Sequence, residues 1–358
     1  MFVAVRDLVF ARGRFALMIV TVALLTALVG LVSGLTVGLG RANTSAIDAL
    51  PADRLAFAAP ASGQGVSFAD SAVDESQWRR WAEQPGVRSA APLGIATTRL
   101  GAGERTVAAA AFGVEPGGPL APRALAPGTV VLSRALAEDL RVAVGARLSV
   151  GSGTSLTVAA VVSGSSYSHT PVAWTTLADW QPLRPAPARG GPYATVIALD
   201  LAGAHTGAGD RTIGTRSTTI GAARSAIGSY TAENGSLRLM RGFLFAISAL
   251  VVGAFFTVWT IQRAGDIAVL KALGAPTGYL LGDALGQAFL VLLVGTAVGT
   301  GIAALFGAVT PAGVPFVVDP STTAFPAAVL ILLGMVGAGL AVRRVTSIDP
   351  HTALSGTR

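Results

Sequence analysis

The sequence predicts an α-helical membrane protein with four transmembrane helices and an α+β extracytoplasmic domain inserted between helices 1 and 2. Three observations support this fold class: 13% of the 358 residues are charged, 52% are hydrophobic, and the mean hydropathy is +0.62. A soluble domain carries about 25% charged residues, so roughly half of the expected charge is missing. The composition excludes intrinsic disorder, and the absence of cysteine excludes disulfides, zinc–cysteine sites and thiol catalysis.

Four long apolar stretches predict the transmembrane helices, over residues 15–40, 242–262, 279–309 and 324–342. The first contains 25 consecutive uncharged residues, Phe15–Leu39, which cover about 37 Å as a helix and can cross a bilayer with some tilt. A secretory signal has a shorter hydrophobic region followed by a cleavage site, so we expect this helix to be retained.

Basic residues flank the predicted spans on one side. Eight lie in the segments 1–14, 263–278 and 343–358, and none lies in the short outer loop 310–323. The positive-inside rule then places both termini in the cytoplasm and residues 41–241 outside the plasma membrane. Of the net charge of +7, +4 (18 minus 14) lies in residues 41–241 and most of the rest reflects topology, so the charge does not indicate nucleic-acid binding.

Residues 41–241 hold 18 Arg and 14 acidic residues, which is close to an ordinary soluble composition. The segment is long enough to bury its own core. Short runs with Gly and Pro turns predict strands, and SRALAEDL predicts a short helix, so we expect an α+β domain of unspecified strand order.

Gly30, Gly34 and Gly38 stand four residues apart in the outer half of the first span. A glycine face lets two backbones approach closely. We expect a packing seam here, specifically one of a homodimer, although glycine is frequent throughout the chain, at 44 of 358 residues.

The cytoplasmic segment after the second span, 263–278, has an apolar stripe flanked by charges and ends with glycine and proline. Its sequence DIAVLKALGA resembles the (E/D)IxxLKAxGA element of FtsX-like permeases of the MacB type, and VTSIDPHTAL resembles their terminal DPxxAL element. The resemblance implies a homodimer whose coupling helix rests on a separate cytoplasmic ATPase. The residues that it assigns to coupling are Arg263, Asp266, Leu270, Lys271, Gly274, Pro276, Asp349 and Pro350.

The chain itself lacks the GxxxxGK[ST] loop of P-loop ATPases. ATP and Mg²⁺ are therefore expected on two copies of the partner ATPase subunit. GxSxG and HExxH motifs are also missing, so we expect a non-catalytic subunit with no catalytic residue, no intrinsic cofactor and no metal of its own.

Within the family the chain most resembles the permease subunit of Gram-positive heme-efflux transporters. The matching segments are VAVRDLVFARGRF, SGLTVGLGRANTS, SGSSYSHT, GSYTAENGSL and FFTVWTIQRAGDIAVLKALGA. The resemblance implies that heme is the transported substrate and that the protein serves heme detoxification in the cell membrane.

Heme needs a ligand for its iron, an apolar slot and a cation for its propionates. A helix that continues outward from the second span presents Tyr230, Glu233 and Arg241 on one face. We expect the iron to be bound by Tyr230, Glu233 or Met240 and a propionate by Arg41. The full set of candidates is Tyr230, Glu233, Arg41, Asn43, Met240 and Arg241, with Tyr167 and His169 as weaker ones.

Three questions stay open at this point. Because the coupling segment is common to the whole family, the cargo is alternatively another amphipathic molecule, such as a peptide, an antibiotic or a lipid. A second alternative is a signalling scaffold that transmits ATPase motion to an extracellular partner and moves nothing. Asp283 and Gln287, which are i and i+4 near the cytoplasmic end of the third span, are expected at the membrane interface, with a proton relay as the alternative.

Overall fold

The computed structural model describes residues 12–151, 153–183, 193–203, 205–263, 265, 269, 273–311 and 313–346. The chain divides into two compact units. The membrane unit is formed by Met1–Gly38 and Ser236–Arg358, and the outer unit is formed by Leu39–Gly235.

The secondary structure of the described residues alternates between long helices in the membrane unit and short elements in the outer unit. The α-helices are α1 (Arg12–Asp48), α2 (Glu75–Ala82), α3 (Arg134–Leu140), α4 (Leu177–Trp180), α5 (Gly207–Ile213), α6 (Ile220–Ala223), α7 (Gly228–Gln262), α8 (Thr277–Val309) and α9 (Ala324–Thr346). The strands are β1 (Arg54–Ala58), β2 (Val87–Ala102), β3 (Arg105–Val114), β4 (Thr129–Ser133), β5 (Arg147–Val150), β6 (Thr154–Val162), β7 (Ser166–Tyr167), β8 (Thr170–Thr176), β9 (Val196–Leu201) and β10 (Thr215–Thr219).

Helices α1, α7, α8 and α9 are long and apolar enough to cross a membrane. With the α+β domain between the first two of them, they confirm the predicted fold class. α1 continues past the predicted end of its span at residue 40 to Asp48, and α7 begins at Gly228, before the predicted start at residue 242. Hydropathy alone marks the apolar part of a helix, because polar turns at its outer end remain helical.

The four long helices share one apolar core. The rings of Phe15 in α1 and Trp259 in α7 meet edge to face, with centroids 6.1 Å apart. Small side chains, among them Ala288 of α8 and Ala338 of α9, let the helices pack closely. The buried members of this core are Phe15, Met18, Val22, Val252, Phe256, Trp259, Ala284, Ala288, Val291, Leu292, Ala338, Ala341 and Val342.

The glycine stripe of α1 packs against the same chain. A Cβ on Gly38 would lie 1.8 Å from the carbonyl oxygen of Pro315, in the loop after α8. The groups that an added Cβ would meet are Ala303 at Gly30, Phe316 at Gly34 and Pro315 at Gly38. The expectation that this stripe is a homodimer seam is therefore wrong, because the chain's own α8 and outer loop occupy it.

The outer unit is built on a ten-stranded sheet with the order β10-β1-β9-β2-β3-β8-β4-β6-β5, and β7 pairs with β8. The pairs β3–β8 and β4–β6 are parallel, and the others are antiparallel. The far end of β2 also pairs with β5, so β2, β3, β8, β4, β6 and β5 close into a ring. The predicted α+β character is confirmed, and SRALAEDL forms α3 as predicted.

Side chains from both faces of this sheet form the outer core. Inside the ring, Leu132, Leu148 and Leu156 pack with Leu136 of α3. On one face of the open part, Trp81 of α2 and Trp180 of α4 are buried. On the other face, Ile47 at the end of α1 packs with Phe57, Phe112 and Tyr167, so this core fixes the last turns of α1.

Candidate functional site

The tip of the β7–β8 hairpin is hydrogen-bonded to the last turns of α1. Ser168 and His169 have left-handed backbones, with φ of 48° and 60°, which non-glycine residues adopt rarely. Their N–H groups donate to the carbonyl oxygens of Asn43 (2.9 Å) and Ala42 (3.1 Å). The strained turn is thus held by α1 itself, and it sets His169 beside Asn43.

Asn43, His169 and Glu233 converge in what we call the Asn–His–Glu cluster. Nε2 of His169 lies 2.7 Å from Oε2 of Glu233, and Nδ2 of Asn43 donates to the same oxygen at 3.3 Å. The cluster joins α1, the β7–β8 hairpin and the first turns of α7, and all three residues belong to the outer unit.

The hydrogen-bond pattern assigns the donors. Oδ1 of Asn43 accepts from the Ser229 hydroxyl at 2.9 Å, so its Nδ2 group faces Glu233. An ionised carboxylate only accepts, which requires the Nε2 of His169 to carry a hydrogen. Nδ2 of Asn43 and Nε2 of His169 then lie 3.1 Å apart because both donate to the same oxygen of Glu233. A neutral His169 keeps its lone pair on Nδ1, the atom type that binds metals.

Exposure leaves the cluster open to a ligand. The side chain of His169 is 32% exposed and that of Glu233 is 42% exposed, whereas Asn43 is buried. A carboxylate and an imidazole that are half-exposed and held together can bind a cationic centre such as iron. Such a ligand competes with the bond between His169 and Glu233.

Tyr230, one turn before Glu233 on α7, has a different environment. Its ring is partly buried against the outer core. Arg224 donates from Nε to Oδ1 of Asp48 at 2.7 Å, and this bond, with a smaller contribution from Tyr230, raises the pKa of Arg224. Thr44 also donates to Asp48 at 2.7 Å. Tyr230 therefore lies beside the ion pair that ties the end of α1 to the turn before α7.

The remaining ligand candidates are Arg41, Met240 and Arg241. Arg41 is exposed on α1, and residues i and i+2 do not share a helix face, so Arg41 and Asn43 project to different sides. Met240, 49% exposed, and the partly buried Arg241 belong to the membrane unit.

Tyr167 is a buried core residue. Its ring meets those of Phe68 and Phe112 edge to face, at centroid distances of 5.7 Å and 5.8 Å. Burial raises the pKa of the Tyr167 phenol, which disfavours the phenolate that iron would bind. The interpretation of Tyr167 as a weak heme ligand is therefore wrong.

Residues that sequence reasoning missed complete the site. Ser168 and Ser229 share a hydroxyl contact of 3.0 Å, and Asp48 and Arg224 form the ion pair described above. Serines and a charged pair 176 positions apart give no local signal. Among the described residues, no group of three or more His, Cys, Asp or Glu side chains is arranged to hold a metal ion.

Only part of the expected coupling segment is described. Asp266, Leu270, Lys271, Asp349 and Pro350 lie outside the described residues. Gly274 has a φ of 91°, which suits the end of a helix, and Pro276 directly precedes α8. Arg263 directs its guanidinium to Gln287 of α8 (2.7 Å).

Two family descriptions match most of the chain. Residues 15–209 match the MacB-like periplasmic core domain, and residues 239–350 match the FtsX-like permease C-terminal domain. The first match alone covers more than half of the 358 residues.

The chain belongs to the FtsX-like permeases with a MacB-like core domain. This permease is a membrane subunit of the ABC transporter class, with a large extracellular domain, and the resemblance seen in its sequence is confirmed.

Relatives of the permease come from several bacteria. The putative hemin transport system permease protein HrtB of Staphylococcus epidermidis is 33% identical over 132 residues, which are 37% of this chain and 38% of that protein. The match thus spans well under half of that relative. An uncharacterized ABC transporter permease of Mycobacterium tuberculosis is 28% identical over 364 residues, 99% of both chains. The solved periplasmic region of MacB from Actinobacillus actinomycetemcomitans aligns over 51% of this chain and 95% of its own, at 12% identity and a TM-score of 0.37.

Proposed function

We propose that the permease is the membrane subunit of an ATP-driven exporter of heme. It captures heme from the membrane or its outer leaflet and releases it outward, which protects the cell from excess heme. The observation that carries this proposal is the Asn–His–Glu cluster, where two groups of the kind that bind heme iron meet at the outer end of α7.

The chemistry of the cluster supports a ferric heme ligand. Glu233 offers an anionic oxygen and His169 an imidazole, and their 2.7 Å bond holds both side chains in place before heme arrives. Tyr230 adds a phenol one turn away on the same helix, and Met240 remains a further candidate ligand. Arg41 and Arg241 are the proposed partners of the heme propionates, because guanidinium groups bind carboxylates strongly.

The relatives support the same cargo. The staphylococcal HrtB proteins are named as hemin transport permeases, and their similarity to this chain covers about a third of it. The more complete mycobacterial matches are named only as ABC transporter permeases, so they support the transporter class and leave the cargo to experiment.

The proposed mechanism uses a homodimer with two cytoplasmic ATPase subunits, which supply ATP and Mg²⁺ binding. Closure of the ATPases moves the segment 263–278 and the region of Asp349, and the two protomers' helices narrow the heme slot. Export requires a closed state that binds heme more weakly than the open state. A hundredfold difference in affinity corresponds to about 3 kcal/mol.

The test is a titration of the purified full-length permease with hemin, followed by the Soret band. The Glu233→Gln variant should lose affinity about tenfold or more, because the amide removes the anionic oxygen. His169→Gln should change the position of the Soret band if the imidazole binds iron. Glu138→Gln, an exposed acid on α3, is the matched control and should bind as the parent does.

Two outcomes contradict the proposal. Hemin that produces no Soret shift with the parent permease would favour another amphipathic cargo. Normal heme tolerance in cells that lack the gene, combined with a cell-wall or division defect, would favour the signalling scaffold.

A further inference from the structure

A partly buried polar link joins the end of α7 to α8 in the membrane unit. Nη1 of Arg263, the first residue after α7, donates to Oε1 of Gln287 at 2.7 Å. Nε2 of Gln287 donates to Oδ2 of Asp283 at 3.0 Å. We call these three residues the Arg–Gln–Asp link.

The two neighbours of Gln287 fix its amide in one orientation. Arg263 has only donors, so it requires the amide oxygen, and the amide nitrogen is then left to donate to Asp283. Gln287 is fully buried, and breaking either bond leaves a polar group without water to replace it. The link therefore favours one register between the two helices.

Arg263 is also held from its other side. Its guanidinium lies over the ring of Trp259, 5.1 Å from the ring centroid. That ring packs edge to face against Phe256 at 6.2 Å and against Phe15 of α1 at 6.1 Å. The side chain thus connects the start of the segment 263–278 with the core of three helices, α1, α7 and α8.

We propose that the Arg–Gln–Asp link transmits movement of the segment 263–278 into α8, so that Arg263 and Gln287 are positioning residues for ATP-driven transport. Apolar contacts between helices let one slide along the other. The buried amide of Gln287, which Asp283 orients within α8, instead keeps its bond to Arg263 when the end of α7 moves. This inference rests on the proposed ATP-driven function and is independent of the identity of the cargo.

The test uses the full-length permease in nanodiscs with its ATPase. Because the chain has no cysteine, an environment-sensitive thiol probe can be attached at a single introduced site. Leu250→Cys, 73% exposed, reports on α7, and Val309→Cys, 70% exposed, reports on α8. The measurement is the fluorescence change of each probe when ATP and Mg²⁺ are added.

Gln287→Leu removes both hydrogen bonds at similar volume. With this variant the α7 probe should respond as in the parent, and the response of the α8 probe should fall about tenfold. The double variant Gln287→Glu/Asp283→Asn keeps the total charge. The carboxylate at position 287 can accept from Arg263 and from the amide at position 283, so this variant should restore the α8 response. Thr296→Val, which removes a buried hydroxyl bonded only within α8, should change neither probe.

Three results would overturn the proposal. An α8 response to ATP that survives in Gln287→Leu shows that movement reaches α8 by another route. If Gln287→Leu abolishes the responses of both probes and the double variant restores neither, the link only stabilises the fold. If the α7 probe in the parent permease does not respond to ATP, both the ATP-driven function and the proposed role of the link are wrong. A hemin titration without a Soret shift would contradict the heme cargo and would not affect the proposed role of the link.

Discussion

Tyr167 and His169 stand two residues apart and yet belong to different parts of the outer unit. In a regular strand, residues i and i+2 share a face, so Tyr167 and His169 would then lie on the same side of the sheet. The left-handed backbone of Ser168 and His169 breaks the alternation. It leaves the ring of Tyr167 in the core and turns His169 toward Asn43 and Glu233.

The burial of Tyr167 in the core predicts different effects for two substitutions at this position. Tyr167→Phe keeps the aromatic packing and should leave the hemin titration unchanged, because the phenol is not an iron ligand. Tyr167→Ala should destabilise the outer unit by about 3–5 kcal/mol, the usual cost of removing a large buried ring. Thermal unfolding of the purified permease and the Soret titration measure the two effects, and a Soret band altered in Tyr167→Phe would contradict this assignment.

At the scale of elements, the long helices could be predicted from sequence because their signal is local. The hydropathy of each apolar stretch is visible without its neighbours, and one long apolar helix includes each of the four expected stretches. The Asn–His–Glu cluster could not be predicted as a unit, since its partners are separated by 126 and 190 positions and meet only through the hairpin. The spacing of Gly30, Gly34 and Gly38 predicted that another part of the protein packs closely against this face of α1. It carries no information on which helix, loop or chain that is.

Because the glycine stripe packs within one chain, substitutions at different glycines of α1 should differ in their effect on stability. Gly38→Ala should destabilise the membrane unit, because its Cβ would overlap the backbone oxygen of Pro315 and force the outer loop away. Gly40→Ala meets no atom within 4 Å and should be neutral or slightly stabilising. Thermal unfolding in detergent compares the two variants, with cleavage of the loop 310–323 by protease as a second measure. If Gly38→Ala instead separated a dimer into stable, folded monomers, the stripe would be an intermolecular seam after all.

At the scale of the whole molecule, the uneven distribution of charge accounts for the two units. The outer unit has enough charged side chains for a solvated α+β domain, and the membrane unit leaves apolar side chains such as Leu24 and Leu250 exposed, as lipid-facing residues are. Among the described residues of the membrane unit, the fully buried amide of Gln287 is bonded on both sides, which is the condition for carrying such a group into a bilayer. The two polar clusters thus differ in exposure: His169 and Glu233 in the outer unit are partly exposed, whereas the cluster in the membrane unit is centred on the fully buried Gln287.

The same charge distribution predicts the orientation of the permease, with both termini in the cytoplasm. Ser163 in the outer unit and Ser321 in the outer loop are exposed, and Ser355 lies in the C-terminal tail. In intact cells, a membrane-impermeant thiol reagent should label Ser163→Cys and Ser321→Cys, and it should label Ser355→Cys only after the membrane is opened. The parent chain, which has no cysteine, supplies an unlabelled control. Labelling of Ser355→Cys in sealed cells would place the tail outside and would contradict an ATPase bound at the segment 263–278, because that segment lies on the same side as the tail when four helices cross the membrane.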